Sequence, residues 1–199
     1  MEKIAGILLA GGKSRRFGSP KAFLQMDGKY FYQYSVDSMR EIVDSIVIVT
    51  NTELKASFHA EEDTFTIITD QKNVKGLGPL AGICTGMKYI SADWYMTAPI
   101  DVPFINTAVF HTLLSYKKDG IAAIVPVVSG EIQPLIAIYH HSVKEVILDQ
   151  LQKELLSAHQ LLENLHVIYV PIEEERCFYN VNRREDYNRW IVDQKNENK

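Results

Sequence analysis

Short apolar runs alternate along the chain with longer segments in which apolar residues recur at helical spacing. Ile4–Ala10 predicts a strand that runs straight into a glycine-rich loop. Tyr32–Glu41 predicts a helix. Ser45–Thr50 reads SIVIVT, a continuous apolar strand of the kind covered on both faces. Phe65–Thr69 is a third strand. Pro79–Ile90 is a helix with proline in its first turn, and Trp94–Ala98 a fourth strand. Thr107–Lys117 predicts a further helix. Ile121–Val127 and Pro134–Tyr139 are strands that Gly130 could join as a hairpin. Val143–Leu162 is helical with a break near Leu156–Ala158, Val167–Val170 is a late strand, and Glu185–Val192 a last helix.

Strands alternating with helices predict an α/β domain of Rossmann-like, three-layer α/β/α form, with a mostly parallel sheet that a hairpin would make mixed. No repeat or linker divides the chain. We therefore expect one domain over 1–192 and a polar tail over 193–199. In such sheets ligands sit beyond the carboxyl ends of the strands. The loops after the first, third and fourth strands are where chemistry is expected.

Composition narrows the classes. The 199 residues are 46% hydrophobic and 23% charged, which excludes disorder over the whole length. Apolar runs stay far below the roughly 18–20 residues that span a bilayer. The net charge of −4 argues against nucleic acid as a partner. The charge is uneven, however. Residues 1–30 carry a net of +4, and the four bases between Lys13 and Lys21 have no acid among them. A cationic loop on an acidic body suits one small anionic ligand. Two cysteines, Cys84 and Cys177, make no disulfide framework and fit a reducing, cytoplasmic compartment. Cys84 reads as a core residue and Cys177 as an exposed one. The cluster Tyr30, Phe31, Tyr32 and Tyr34 reads as packing. The six histidines have no zinc-ligand spacing.

The first loop is Leu9-Ala10-Gly11-Gly12-Lys13-Ser14-Arg15-Arg16-Phe17-Gly18-Ser19-Pro20-Lys21. Paired glycines let backbone N–H groups face an anion, and Arg16 and Lys21 can neutralise phosphate oxygens. The spacing is not that of a Walker A loop. The loop after the third strand carries Asp70, a candidate ligand-facing carboxylate or a turn cap, and then Gly76-Leu77-Gly78-Pro79-Leu80-Ala81. That stretch fits the dinucleotide fingerprint formally but lies too far from its strand. After the fourth strand, Pro99 and Pro103 bracket Asp101. A lone carboxylate there suits Mg²⁺, which takes one or two carboxylates together with phosphate oxygens and water.

Together these segments resemble the molybdenum cofactor guanylyltransferase (MobA) family of nucleotidyltransferases. The opening L-A-G-G-x-S-x-R-x-G-x-x-K is met at Leu9, Ala10, Gly11, Gly12, Ser14, Arg16, Gly18 and Lys21. The later G-P-L-A-G-I matches Gly78–Ile83, and D-x-P matches Asp101-Val102-Pro103. Pro134-Leu135, Ala137 and Tyr139 match a further segment, as do Asn180-Val181-Asn182 with Glu185-Asp186. The L-A-G-G form, rather than L-A-A-G, points to the guanylyl branch.

The resemblance implies transfer of GMP from GTP to molybdopterin (Mo-molybdopterin), giving the guanine dinucleotide cofactor and pyrophosphate. It implies that Leu9, Ala10, Gly11, Gly12, Lys21, Asn51, Asp70 and Asp101 bind GTP. Arg16, Lys21 and Asp101 would be catalytic, Asp101 would hold Mg²⁺, and Asn180 and Asn182 would face the pterin. It also implies a nucleotide-binding half over about 1–105 and an acceptor half over about 106–192. A cytoplasmic monomer, in transient contact with other proteins of cofactor biosynthesis or with molybdoenzyme chaperones, is expected. The rival readings are a related enzyme using CTP or another phosphorylated acceptor, and a non-catalytic nucleotide- or pterin-binding chaperone module.

Overall fold

Strand β1 (Ile4–Leu9) lies between two parallel neighbours, β4 (Ser45–Thr50) and β6 (Trp94–Pro99). Its side chains alternate between two cores, which is why the run is apolar without interruption. Leu8 and Ala10 face one side with Val36, Met39, Phe110 and Leu113. Ala5 and Ile7 face the other with Leu80, Ile83, Ile147 and Leu161. The computed structural model describes residues 2–12, 20–58, 65–69 and 77–189.

The helices divide accordingly. α1 (Phe31–Arg40) and α3 (Thr107–Leu114) cover the first face. α2 (Pro79–Tyr89), α4 (Val143–Gln152) and α5 (Ala158–Glu163) cover the second. The break between α4 and α5 falls where expected. Glu154 takes a left-handed φ of 57°, and the Ser157 side chain then accepts the Gln160 N–H to start α5. The last helix is described over 184–189.

The remaining strands are β5 (Thr66–Thr69), β7 (Ala123–Val128), β8 (Glu131–Ile132), β9 (Ala137–His140) and β10 (Val167–Pro171). Their order is β10-β7-β9-β6-β1-β4-β5, with β8 beside β7. Only β9 and β8 run antiparallel to their neighbours, so the sheet is mostly parallel and mixed. The expected hairpin is modified. The turn at Ser129–Gly130, both with positive φ, joins β7 to the short β8. The later strand β9 slots between β6 and β7 instead.

A small ribbon near the start of the chain has no counterpart in the sequence reading. β2 (Gln25–Met26) and β3 (Lys29–Tyr30) form a separate small ribbon. Asp27 and Gly28, at φ of 50° and 80°, turn it. Asp-Gly is the pair that such a two-residue turn selects.

Tyr32 and Phe31 are buried, as packing predicted, with Tyr32 edge-on to Phe58 at 5.1 Å between ring centres. Cys84 is buried as expected. Cys177, expected to be exposed, is also buried. Its sulfur accepts from Asn106 Nδ2 at 3.1 Å, and the Asn106 carbonyl caps α3 through the Val109 N–H. Burial, with Glu174 adding to it, pushes the Cys177 thiol up to about 11.

Candidate nucleotide-binding site

The chain leaves β1 for β4 and β5 on one side, then returns to β6 on the other. Loops leaving β1 and β6 therefore diverge, and a crevice opens between their carboxyl ends, the usual ligand position in such sheets. The loop after β1 carries the cationic motif, and the loop after β6 carries Asp101.

Asp101 is held from both sides. The Ile100 N–H donates to the Leu9 carbonyl at 3.2 Å, extending the β1–β6 ladder by one bond. The Asp101 carbonyl accepts the Val181 N–H at 2.8 Å. Val102 and Pro103 behind it are buried. The carboxylate is left at the crevice with its side chain 27% exposed.

Lys21 opens a short 3₁₀ turn, Lys21–Phe23, set by Pro20 at φ −64°. Ala22 anchors that turn in the core, and the Lys21 ammonium reaches Asp101 Oδ2 at 3.0 Å. The ammonium also donates to Asn182 Oδ1. Three residues from widely separated parts of the chain thus meet at the crevice.

Leu9 and Ala10 stand at the end of β1. Ala10 donates to the Val49 carbonyl at 2.8 Å and accepts the Thr50 hydroxyl at 3.2 Å, so its peptide is locked into the sheet. Gly11 and Gly12 follow and are exposed, and a Cβ on Gly12 would meet nothing within 4 Å. Asn51 follows β4, but its Oδ1 accepts the Leu54 N–H at 2.9 Å, so that oxygen serves a turn. Asn180 is exposed, two residues before Asn182. Arg16 and Asp70 lie outside the described residues.

The two G-P-L-A-G-I glycines have different structural reasons, backbone conformation at Gly78 and close packing at Gly82. Gly78, at φ 81°, caps the start of α2, and Pro79 takes the first helical position. A Cβ on Gly82 would meet Leu9 Cδ2 at 2.8 Å. The helix therefore lies close enough to β1 to set the Leu9 side chain. Two contacts were missed by sequence reasoning. The Val181–Asp101 backbone bond has no sequence signal. Asp186, whose Oδ2 accepts the N–H groups of Asn182 and Arg183 at 3.0 and 2.8 Å, is a helix-start carboxylate with a recognisable spacing.

A cavity of about 370 Å³ lies at the opposite end of the sheet, lined by Glu2, Trp94, Lys117, His140 and Ser142 among others. Trp94 opens β6, so this hollow is a strand length from Asp101 and shares none of the crevice residues.

A mostly parallel α/β/α sheet with a lysine and a carboxylate paired at its switch point has the form of a nucleotidyltransferase-type protein. A family model, the MobA-like NTP transferase domain, matches residues 6–168, and the chain belongs to that family. A Bacillus cereus protein named "Probable molybdenum cofactor guanylyltransferase" is 41% identical over 99% of this chain and 100% of its own length. A Bacillus anthracis protein of the same name is 40% identical over 94% of this chain and 95% of its own. Among solved structures, molybdopterin-guanine dinucleotide biosynthesis protein A from Archaeoglobus fulgidus superposes with a TM-score of 0.78 at 26% identity, covering 98% of this chain and 99% of the other.

Proposed function

We propose that this chain transfers GMP from GTP to molybdopterin, with release of pyrophosphate. The Lys21–Asp101 pair at the switch point carries the reading, because it sets a cation suited to phosphate beside a carboxylate suited to a metal ion. The names of the full-length relatives support guanylyl as the group and molybdopterin as the acceptor.

In the proposed reaction an oxygen of the acceptor's phosphate monoester attacks the α-phosphorus of GTP. The bond from that phosphorus to the bridging oxygen breaks, and pyrophosphate departs with the electron pair. A monoester phosphate loses its second proton near pH 6, so the nucleophile is anionic without a general base. The obstacle is repulsion between anions, and positioning and charge are what the protein supplies. Lys21 binds the triphosphate and, with Arg16, offsets its charge. Gly11 and Gly12 offer backbone donors, and Leu9 and Ala10 form the wall against which the nucleoside lies. Asp70 and Asn51 contact the nucleoside, and Asn180 and Asn182 the acceptor.

Asp101 fits Mg²⁺: it is a hard oxygen donor, partly exposed, at the crevice. No cluster of three or more His, Cys, Asp or Glu side chains able to hold a metal occurs among the described residues. One carboxylate plus substrate phosphates is the donor set expected for this ion. When bound it would neutralise charge on the departing pyrophosphate.

Pyrophosphate release from GTP, CTP, ATP and UTP, each with Mg²⁺ and molybdopterin, tests the reading. Release with GTP and formation of the guanine dinucleotide is expected. Preference for CTP would make the chain a cytidylyltransferase. Binding without release in every case would make it a carrier.

A further inference from the structure

We propose that Asn182 is a positioning residue for the Lys21 ammonium, and that Asp186 holds Asn182 in place for it. This rests on the reading that Lys21 binds the triphosphate.

Lysine has donors only, so the Asn182 atom facing its ammonium is the carbonyl oxygen Oδ1. That contact fixes the amide orientation and turns Nδ2 away from Lys21. Asp101 and Asn182, both on this ammonium, differ in kind. Asp101, at 3.0 Å, is charged and cancels much of the lysine's field. Asn182 is neutral: it aims the ammonium and leaves its charge available to a phosphate. Were Asp101 to hold a metal ion, Lys21 would give up an anionic partner, and the Asn182 oxygen would still hold it against the crevice.

The Asn182 backbone is itself secured. Asp186 Oδ2 accepts the Asn182 N–H at 3.0 Å and the Arg183 N–H at 2.8 Å. One residue earlier, Val181 is buried and donates to the Asp101 carbonyl at 2.8 Å. The same segment is tied down again where the Tyr187 hydroxyl donates to the Gln25 carbonyl. A stretch near the end of the chain is thus sewn to both loops that make the nucleotide crevice. Asn182 acts from the acceptor half on the nucleotide side of the reaction.

Calorimetric titration of Mg²⁺·GTP into the full-length protein tests this. Asn182→Ala should weaken GTP binding about tenfold, the loss expected for a hydrogen bond to a charged group. Asn182→Asp keeps the shape but adds a charge, and should weaken it further. Asp186→Ala should resemble Asn182→Ala, and the double variant should bind no worse than either single one, since both act through one contact. Asp186→Asn retains an oxygen acceptor and should restore binding. A merely structural role would give additive losses that track the melting temperature, and would not separate Asn182→Ala from Asn182→Asp. If Lys21→Ala loses GTP affinity while Asn182→Ala and Asn182→Asp keep it, the positioning role is overturned and the nucleotide reading stands. If Lys21→Ala also binds GTP normally, both fall.

Discussion

Alanine at Gly86 would add one methyl group where α2 crosses β1, and that methyl has nowhere to go. Its Cβ would lie 2.8 Å from Ile7 Cδ1, Cγ1 and Cγ2 alike. Ile7 is fully buried, β-branched, and bonded in register to Val47 on one side and Thr97 on the other, so it can neither rotate nor retreat. Overpacking of a tight core costs about 1–3 kcal/mol, and three simultaneous contacts put this case at the upper end. Alanine's better helix propensity returns about 1 kcal/mol. The net loss is about 2 kcal/mol, which for a domain of this size lowers Tm by roughly 4–8 °C. Gly82→Ala differs in an informative way. The atom its Cβ meets, Leu9 Cδ2, is the end of a flexible side chain, so stability should stay within about 1 kcal/mol of wild type. But Leu9 stands at the nucleotide crevice, and its displacement should raise KM for GTP. Urea denaturation and steady-state kinetics on both variants make the comparison. A Gly86→Ala protein as stable as wild type would refute the packing argument.

Asp101→Ala should cut turnover by ~10²-fold or more with Mg²⁺ present, the order seen when one electrostatic stabiliser is lost; near-normal kcat in a pyrophosphate assay would remove Asp101 from the site. Cys177, its thiol raised from 9.0 to about 11 by burial, holds roughly a hundredfold less thiolate at pH 8 than an unperturbed thiol. Iodoacetamide should therefore label it far more slowly in the native than in the denatured chain, as peptide mapping would read; equal rates would contradict its burial. His140 is held below its ordinary value by burial first and then by the neighbouring His141, with Asp93 and Glu2 pulling the other way. Its lowered value means the unfolded chain takes the proton more readily, so its contribution to stability is present above about pH 6.5 and is lost as pH falls through the lowered value. His140→Gln should flatten the decline in urea midpoint between pH 7.5 and 5.5 relative to wild type; an unchanged slope would exclude it.

The β/α alternation, the doubly covered strands and the helix break after Gln152 were legible because each is a local pattern with one physical cause. Strand order was less so. Nothing local in Ala137–His140 says that it enters between β6 and β7, because that position is fixed by partners distant in sequence. The small β2–β3 ribbon was legible in principle. Its Asp27-Gly28 pair is a hairpin signal, obscured by flanking strands of two residues each. Cys177 was misjudged for another reason. Glu173-Glu174-Glu175-Arg176 just before it has the composition of a solvated turn, and burial of Cys177 and Phe178 depends on a 3₁₀ turn packing against Asn106.

The site divides along the same line. Lys21 and Asp101 could be named from residue chemistry, because a cation after a glycine loop and a carboxylate past a strand end carry meaning at any distance. Their pairing could not, and still less the arrival of Asn182 from 161 positions further along. Asparagine carries no charge and forms no motif of its own, so its use is visible only once the fold brings a cation to it. This bears on how the crevice must work. In the proposed reaction a carboxylate and a phosphate would share one lysine. A neutral amide on the same ammonium would let the lysine change anionic partners without leaving the crevice. The return of the 180–187 segment over Asp101 is what supplies that amide, and the backbone bond from Val181 to Asp101 sets its register there.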